Sequence, residues 1–274
     1  MGTMMRIILS ISSDFGTALA NSWMDKGISV VGTYRTWSGE CENLEQRGAT
    51  LFKCDLADKD SIADCIELLG EQEPWETLVA AAGDQRPIGL FHQVSFDQWE
   101  NSLQANFTGM LRILQNCLQK PALTGIRTVI FFAGGGTNNA TERYSAYTIS
   151  KIASIKMCEL LDFELEDTKF SILGPGWVKT KIHNATLEDE VNAGENYFKT
   201  RKLISENGMN SMERVIECCD WIIDQPKNIV GGRNFSVVND KWGSEDLTEI
   251  LSKNQDLYKL RRLGNDLKLH GRDS

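Results

Sequence analysis

Residues Arg6-Ile-Ile-Leu-Ser-Ile-Ser-Ser-Asp-Phe-Gly16 lead from an apolar run into a turn rich in serine, and a helix-like segment follows at once. The run from Ile7 to Ile11 is almost continuously apolar, as expected of a strand that is buried on both faces. A strand that passes through a short turn into a helix is the first half of a βαβ unit. This stretch therefore predicts that the chain begins an α/β fold.

The same alternation of strand-like and helix-like segments continues to about residue 238. Short β-rich runs separated by helices predict a parallel sheet with helices on both faces and right-handed crossovers. We therefore predict an α/β fold built on a single doubly wound sheet of the Rossmann type. The predicted strands are Arg6–Ile11, Ser29–Tyr34, Ala49–Cys54, Thr77–Ala81, Arg127–Phe132, Lys169–Leu173 and Asn234–Val238, and the predicted helices cover residues 16–26, 39–47, 58–70, 97–119, 146–166 and 211–224.

No segment of the sequence reads as a linker, and 274 residues suit one α/β domain with a large core. We predict that residues 1–274 form one domain, with a C-terminal tail from about residue 244. The segment 179–210 is polar and helix-prone and falls outside the strand–helix alternation. We interpret this surface excursion as a substrate lid, with packing decoration as the alternative.

The composition limits the partners and the compartment. The chain is 41% hydrophobic and 24% charged, which is typical of a globular protein, and its net charge of −9 argues against a nucleic-acid partner. Seven cysteines without a CxxC pair and only three histidines predict no metal site. The run Ile7–Ile11 is too short for a signal peptide or a membrane span. We therefore expect a soluble cytoplasmic protein with no membrane contact.

A second informative stretch is Ser145-Ala-Tyr-Thr-Ile-Ser-Lys151, in which Tyr147 and Lys151 stand four residues apart. On a helix this spacing places both side chains on one face. The lysine charge favours phenolate and is expected to lower the pKa of Tyr147 towards the working pH, which suits a proton donor and acceptor. The alternative is an ordinary pair on a helix surface.

The turn after the first predicted strand has lost most of a nucleotide-binding pattern. Such a turn normally has three glycines, which let the backbone approach a pyrophosphate. Here only Gly16 remains, and Ser10 and Asp14 occupy the other glycine positions. We expect Asp14 to adopt the left-handed conformation and to turn its carboxylate away, while Ser12 and Ser13 offer hydroxyls to phosphate. The alternative is a plain strand–turn–helix with Asp14 as the helix cap.

The second predicted strand ends in Gly32-Thr-Tyr-Arg-Thr36, which bears on the choice of cofactor. An NAD site uses an acidic residue here to bind the ribose 2′-hydroxyl. Tyr34 stands in that place and Arg35 follows, and a guanidinium suits a 2′-phosphate. The stretch favours NADP, with NAD as the alternative and a solvated loop charge as the simplest reading of Arg35.

In combination these residues resemble the short-chain dehydrogenase/reductase family. The resemblance covers about residues 5–242 and rests on motifs that occur in the family's order and spacing. Besides the Tyr147 and Lys151 pair, these are Asp55 in Cys54-Asp-Leu, Ala80-Ala-Ala-Gly83, Asn106 in Trp99-Glu-Asn-Ser-Leu-Gln-Ala-Asn-Phe-Thr-Gly109, Pro175-Gly176 with Val178 and Thr180, and Ile229-Val-Gly-Gly-Arg-Asn-Phe-Ser-Val-Val238.

The resemblance implies hydride transfer between a nicotinamide and a carbonyl or alcohol carbon, usually by a homodimer or homotetramer. Tyr147 would protonate the developing alkoxide, Lys151 would assist it and bind the nicotinamide ribose, and Asn106 would hold a water that relays protons. The implied cofactor contacts are Ser10, Ser12, Ser13, Phe15, Gly16, Arg35, Asp55, Leu56, Ala81, Gly83, Pro175, Gly176, Val178 and Thr180.

One departure from the family pattern concerns the reaction itself. Gly134, in Phe131-Phe-Ala-Gly-Gly-Gly-Thr137, occupies the place of the family's catalytic serine. Loss of one donor to the substrate oxygen costs roughly 10²–10³ in rate. Thr137 or Asn138 could replace that donor, backbone N–H groups of the glycine run could do so, or the activity could be lost. His183 is a further candidate for substrate contact.

The glycine run, with Asp240-Lys-Trp242 and Leu260-Arg-Arg-Leu263, resembles a divergent branch of the family that we associate with bacterial surface-carbohydrate gene clusters. This resemblance implies a sugar or sugar-nucleotide carbonyl as the substrate. Two other functions stay open. One is a nucleotide-binding regulatory protein with impaired catalysis, and the other is a sugar-nucleotide epimerase or dehydratase that recycles its cofactor.

Overall fold

Seven parallel strands form one sheet in the order β3-β2-β1-β4-β5-β6-β7. The computed structural model describes residues 5–122, 125–206 and 208–263. The sheet confirms the predicted α/β fold, and its strand order reverses direction between β1 and β4. The strands are β1 (Met5–Leu9), β2 (Ser29–Tyr34), β3 (Thr50–Lys53), β4 (Thr77–Ala80), β5 (Arg127–Phe132), β6 (Thr168–Gly174) and β7 (Arg233–Ser236).

Helices cover both faces of the sheet and enclose two apolar cores. Along β1, Ile7 contributes to one core and Ile8 to the other, because successive strand residues point to opposite faces. The helices are α1 (Asp14–Asp25), α2 (Gly39–Gln46), α3 (Lys59–Gly70), α4 (Phe96–Leu103), α5 (Gly109–Leu118), α6 (Ser145–Glu164), α7 (Asn184–Glu188), α8 (Glu190–Ala193), α9 (Glu195–Ser205), α10 (Met212–Asp224), α11 (Lys227–Val230) and α12 (Glu245–Lys253). Across the described part of the chain, no helix is both long and apolar enough to cross a membrane.

The first strand is shorter than predicted because the backbone turns at Ser10. This residue has a φ of 66°, in the left-handed region, so β1 ends at Leu9. The helix that follows begins at Asp14 and is capped by Ser13, whose Oγ accepts the N–H of Gly16 at 3.0 Å. The expectation of a left-handed Asp14 was wrong: Asp14 is helical, and Ser10 adopts that conformation.

The predicted helix 97–119 is divided by a π-helical turn at Gln104–Thr108. Asn106 lies in this turn, and its Nδ2 donates to the carbonyl oxygen of Ser102 at 3.0 Å. Directly after the turn, the backbone at Gly109 approaches the carbonyl oxygen of Leu56 so closely that a Cβ would overlap it. The turn thus places a buried asparagine at the edge of the sheet, which periodicity alone did not indicate.

Residues 179–210 form an excursion that leaves and rejoins the sheet at one point. It contains a 3₁₀ turn at Lys181–His183 followed by α7, α8 and α9. Its two ends are joined because the N–H of Asn210 donates to the carbonyl oxygen of Trp177 at 2.7 Å. Ala185 and Ala193 of the excursion pack with Tyr144 in a small core that is separate from the two main ones.

The region predicted as a tail from residue 244 is partly helical. Residues 245–253 form α12, and Leu247 and Leu251 of this helix are buried in the apolar core that contains Ile8. The buried guanidinium of Arg233 donates to the carbonyl oxygens of Leu251 (2.8 Å) and Asn254 (3.0 Å), which fixes the end of α12 to β7. The part of the predicted tail beyond residue 263 lies outside the described residues.

Candidate functional site

A cavity of about 950 Å³ opens at the carboxyl ends of the strands, where the strand order reverses between β1 and β4. Ligands of open α/β sheets bind in the crevice at this point. The cavity brings together nearly every site residue that the sequence predicted, and only Gly16 lies behind its wall. The predicted residues that line it are Ser10, Ser12, Ser13, Phe15, Arg35, Asp55, Leu56, Ala81, Gly83, Asn106, Gly134, Thr137, Asn138, Tyr147, Lys151, Pro175, Gly176, Val178, Thr180 and His183.

The turn between β1 and α1 keeps the shape of a glycine turn with few of the glycines. The amide of Ser10 donates to Thr33 Oγ1 at 2.9 Å, and the amide of Ser13 donates to the carbonyl oxygen of Ser10 at 3.0 Å. These bonds hold Ser10 in the left-handed conformation, which costs a non-glycine residue roughly 1–2 kcal/mol. A Cβ at Gly16 would lie 2.5 Å from the carbonyl oxygen of Ser10, so glycine is required there.

At the start of α1, the Asp14 carboxylate points to the excursion. Its Oδ2 accepts the backbone N–H of Lys181 at 2.7 Å. The neighbouring Phe15 stacks on Phe132 at the end of β5, with ring centroids 4.8 Å apart. Of the two predicted hydroxyl donors, Ser13 uses its Oγ as an acceptor in the helix cap. Its O–H can still donate to a ligand.

The far end of the cavity lies over the ends of β2 and β3. Arg35 borders the cavity, is exposed, and forms no hydrogen bond or ion pair with a residue of the described ranges. Asp55 accepts the N–H of Ala57 at 2.9 Å through Oδ1. An unpaired guanidinium and a turn that admits only glycine at position 16 fit a dinucleotide phosphate, and Arg35 would lie near its 2′ end.

Asn106 fixes the loop that follows β4. Its Oδ1 accepts the N–H of Asp84 at 2.8 Å, and its Nδ2 donates to the carbonyl oxygens of Asp84 (2.9 Å) and Ser102 (3.0 Å). The side chain is fully buried, and both of its N–H groups are used. The amide therefore positions the strand end beside the cavity and has no N–H left for a relay water.

Tyr147 and Lys151 lie near the start of α6 and are both buried. The Nζ of Lys151 lies 5.6 Å from the centre of the Tyr147 ring and donates to the carbonyl oxygen of Ala82 at 3.1 Å. Burial lowers the pKa of Lys151 to about 8, and burial raises the pKa of Tyr147 above its usual value. The expected lowering of the Tyr147 pKa was therefore wrong, because burial of the phenol disfavours its charged form. The phenol is neutral at pH 7.

The phenol of Tyr147 fills the space beside Gly134. A Cβ at position 134 would lie 2.5 Å from the Tyr147 hydroxyl oxygen, closer than real Cβ atoms approach. Of the predicted substitutes for the serine, Thr137 uses its hydroxyl to donate to the carbonyl oxygen of Gly134 at 3.2 Å, and Asn138 is exposed at the rim. A side chain at position 134 is therefore incompatible with the observed position of the Tyr147 phenol.

His183 is held inside the excursion. Its Nε2 lies 3.0 Å from the carbonyl oxygen of Val178, and its ring stacks on Trp177 with centroids 5.1 Å apart. Burial lowers the pKa of His183, while the backbone of Val178 and the charge of Asp14 act in the opposite direction. A neutral imidazole in this contact donates from Nε2 and anchors the excursion.

Sequence reasoning missed Gln85, which lines the cavity two residues after the Gly83 motif. Its Oε1 accepts the hydroxyl of Thr186 at 2.9 Å, and Thr186 in turn lies 2.8 Å from the hydroxyl of the buried Tyr144. If Tyr144 donates to Thr186 and Thr186 donates to Gln85, every hydroxyl hydrogen is used. The amide nitrogen of Gln85 then keeps two N–H groups that form no hydrogen bond within the described ranges. The position just after a strand-end motif was the available signal.

Comparison with known proteins agrees with this geometry. The family model for "short chain dehydrogenase" matches residues 6–191, more than half of the chain. This protein therefore belongs to the short-chain dehydrogenase/reductase family, whose members are NAD(P)-dependent oxidoreductases. The predicted family is confirmed.

The related sequences are distant. An uncharacterized oxidoreductase of Mycobacterium tuberculosis is 26% identical over 198 residues, which cover 66% of this chain and 56% of that protein. The chain thus matches little more than half the length of this relative. The serine 3-dehydrogenase of Agrobacterium fabrum is 22% identical over 240 residues, which cover 81% of this chain and 89% of that protein. Similarity at this level leaves the substrate undefined.

Among solved structures, a short-chain dehydrogenase/reductase of Saccharomyces cerevisiae has the same fold. The TM-score is 0.75 at 18% sequence identity, and the match covers 90% of this chain and 98% of the yeast chain. At this identity the match supports the fold alone.

Proposed function

We propose that this protein is an NADP-dependent oxidoreductase that transfers hydride to or from a carbonyl or alcohol carbon of a small substrate. The observation that carries the proposal is the meeting of Tyr147, Lys151 and the Asn106 loop at one wall of the cavity. The unpaired Arg35 and the absence of an acid at Tyr34 support NADP over NAD. A bound nicotinamide supplies or accepts the hydride, and the protein positions the groups.

The proton chemistry falls to Tyr147 and Lys151. Tyr147 holds a proton at neutral pH and donates it to the alkoxide oxygen that forms during reduction. The Lys151 ammonium, held on the carbonyl oxygen of Ala82, stabilises the phenolate left behind, because an opposite charge in a dry site interacts strongly. The residues proposed to hold the cofactor are Ser10, Ser12, Ser13, Phe15, Gly16, Arg35, Asp55, Leu56, Ala81, Gly83, Pro175, Gly176, Val178 and Thr180.

We propose Gln85 as the donor that replaces the family serine. Thr137 already donates to Gly134, whereas Gln85 lines the same cavity and its amide nitrogen donates to no residue of the described ranges. The hydrogen-bonded chain from Tyr144 through Thr186 occupies Oε1 of Gln85 and leaves the amide nitrogen as the group that can donate to a substrate. A positioned amide N–H is the kind of donor that stabilises charge on a reacting oxygen.

The proposed substrate is a hydroxyl-rich molecule such as a sugar or sugar nucleotide. Polar side chains are distributed over the cavity wall, among them Gln85, Arg86, Asn138 and Asn234. The similarity to a serine 3-dehydrogenase also favours a small polar substrate. We also propose a role in surface-carbohydrate synthesis, because the glycine run 134–136 resembles the family branch associated with it.

Segment 179–210 is proposed as the substrate lid of a single domain. It joins the loop after β4 through Thr186 and Gln85 and through an ion pair of 2.7 Å between Arg86 and Glu188. We further propose a cytoplasmic homodimer or homotetramer. The seven free buried cysteines support a reducing compartment, and the exposed Ile149, Leu160 and Phe163 on α6 support an apolar contact between copies. Light scattering of the purified protein tests the oligomeric state.

Oxidation of NADPH in the presence of a panel of keto-sugars tests the proposed function. Turnover should fall by roughly 10²–10⁴ in Tyr147→Phe, while NADPH binding is retained. Tyr197→Phe, on the excursion, is the matched control and should keep its activity. Wild-type turnover in Tyr147→Phe would overturn the role of Tyr147. Tight NADPH binding without turnover of any substrate supports the regulatory alternative instead.

A further inference from the structure

Lys181 lies across the first turn of the cavity although it is far from that turn in sequence. Its backbone N–H donates to Asp14 Oδ2 at 2.7 Å. Its Nζ lies 3.4 Å from the carbonyl oxygen of Ser12 and 3.6 Å from Glu40 Oε1. The side chain is 53% exposed and lines the same cavity as Ser12 and Arg35. A positive charge from the excursion thus lies beside the turn that joins β1 to α1.

This turn needs a positive charge from elsewhere. A glycine-rich turn binds a pyrophosphate through closely approaching backbone amides at a helix N-terminus. Here Asp14 introduces a carboxylate at the first residue of α1, and a carboxylate repels phosphate. The Asp14 carboxylate accepts a backbone N–H. Among the described residues, the half-exposed ammonium of Lys181 makes only long contacts, with Ser12 and Glu40, and a phosphate can join them. The same contact fixes the backbone of Lys181 beside the turn.

We propose that Lys181 binds the pyrophosphate of the dinucleotide cofactor and that Asp14 holds it in place to do so. The proposal rests on the proposed use of NAD(P). The pyrophosphate is favoured over the 2′-phosphate because Ser12 belongs to the turn after β1, whereas Arg35 stands at the end of β2, where the 2′ end is bound. Lys181, whose backbone is held by Asp14, therefore adds a positive charge to the backbone amides that the turn keeps.

One consequence is that cofactor binding and the position of the excursion are linked. Lys181 is the first residue of the 3₁₀ turn that opens the excursion. Its neighbour Ile182 packs against Gly83, since a Cβ at Gly83 would lie 3.2 Å from Ile182 Cδ1. A dinucleotide that contacts Lys181 stabilises this position of the excursion, because the contact forms only when the excursion lies there.

Titration of the protein with NADPH and, separately, with NADH tests the proposal without a substrate. Lys181→Ala should weaken binding of both nucleotides about tenfold, because one charge-assisted hydrogen bond is lost. Its affinity should also depend less steeply on salt, because one phosphate-neutralising charge is removed. Lys179→Ala is the matched control: Lys179 is exposed, lies two residues away and does not line the cavity. Lys181→Arg should retain most of the affinity.

A double-mutant cycle tests the part assigned to Asp14. In an Asp14→Ala background the backbone of Lys181 loses its tether, so Lys181→Ala should then weaken binding by less than about threefold. An undiminished tenfold effect in that background overturns the role of Asp14. Thermal unfolding of each variant shows that the compared proteins are folded.

The possible failures are distinguishable. If the wild-type protein binds neither nucleotide, the proposed function fails and the role of Lys181 with it. If the wild-type protein binds both and Lys181→Ala binds them equally well, only the role of Lys181 is overturned. If Lys181→Ala weakens NADPH alone, the assignment to the pyrophosphate is wrong and the 2′-phosphate is the contact.

Discussion

The turn after β1 and the start of α6 have diverged in opposite ways. At the turn the motif is mostly lost but the backbone shape is kept, because Thr33 and Ser13 hold Ser10 at a φ of 66°. At α6 the motif of Tyr147 and Lys151 is intact, but the phenol occupies the space that a side chain at position 134 would need.

The difference shows that a motif and the arrangement it usually indicates can change separately. Backbone shape at a turn depends on a few hydrogen bonds, and several side chains can supply them. The position of a buried ring depends on the volume of its neighbours, and the glycine at position 134 leaves room for the Tyr147 phenol. The predictions below test the two regions in turn, from the largest expected effect to the smallest.

The largest effect is expected at the donor proposed to compensate for Gly134. Gln85→Leu removes the free amide N–H groups and should lower kcat by roughly 10²–10³ on any substrate that is turned over. NADPH affinity should stay within about twofold, because Gln85 is not placed among the proposed cofactor contacts. Asn138→Ala is the control from the exposed rim. If Asn138→Ala produces the loss and Gln85→Leu does not, the donor is Asn138.

The second effect concerns the charge buried beside Tyr147. Burial lowers the pKa of Lys151 from 10.5 to about 8. The buried ammonium therefore lowers the free energy of unfolding most at pH values below 8, where Lys151 is protonated. As pH rises from 8 to 10.5 the folded protein releases this proton before the unfolded chain does, and the cost disappears. The stability of Lys151→Met relative to the wild type should therefore fall by about 3 kcal/mol across this interval.

Denaturant unfolding at several pH values measures this difference. Lys156→Met, a half-exposed lysine on the same helix, provides the control and should show no comparable trend. A stability difference for Lys151→Met that does not change with pH would show that the ammonium is not desolvated as the fold implies.

The third effect tests the crowding at Gly134. Gly134→Ser places a side chain against the Tyr147 hydroxyl and should lower the free energy of unfolding by about 1–3 kcal/mol. Gly135→Ser is the matched control, because a Cβ at Gly135 meets no atom within 4 Å. It should change stability by no more than about 0.5 kcal/mol. Equal stability of the two variants would mean that Tyr147 does not occupy the space beside Gly134.

The smallest effect tests the rebuilt turn. Ser10→Gly relieves a left-handed serine and should raise the free energy of unfolding by roughly 0.5–1 kcal/mol, with NADPH affinity nearly unchanged. Ser12→Gly, two residues along the same turn, has no such strain to relieve. It should lower stability by a few tenths of a kcal/mol, because glycine adds freedom to the unfolded chain. A destabilised Ser10→Gly would contradict the strain assigned to this position.

Much of the fold was predictable because it depends on local patterns. Apolar runs of strand length between helix-like segments predicted all seven strands, with differences at the ends such as Leu9 for Ile11. The family's motifs also indicated most residues that line the cavity. The division of helix 97–119 by a π turn was missed, because it arises from contacts of Asn106 with Asp84, which lies 22 residues away in sequence.

The pKa of Tyr147 was predicted with the wrong sign for the same kind of reason. The spacing to Lys151 shows that a charge is near, but it does not show how completely α6 and the strand ends exclude water from the phenol. Lys181 was missed because it has no distinctive local pattern, and the position of Gln85 after a strand-end motif does not by itself indicate a role. Their importance depends on the excursion folding back onto the loop after β4 and onto the first turn.

The sequence by itself determined the order of strands and helices, the family, and the residue types available at the site. Tertiary structure decided that Ser10 takes a glycine's conformation, that Tyr147 fills the space beside Gly134, and that Lys181 reaches Asp14. The physical reason is the separation in sequence over which each kind of interaction acts. Periodicity and turn chemistry act over a few residues, whereas the contact between Lys181 and Asp14 joins positions 167 residues apart and exists only once the sheet has brought its strand ends to one edge.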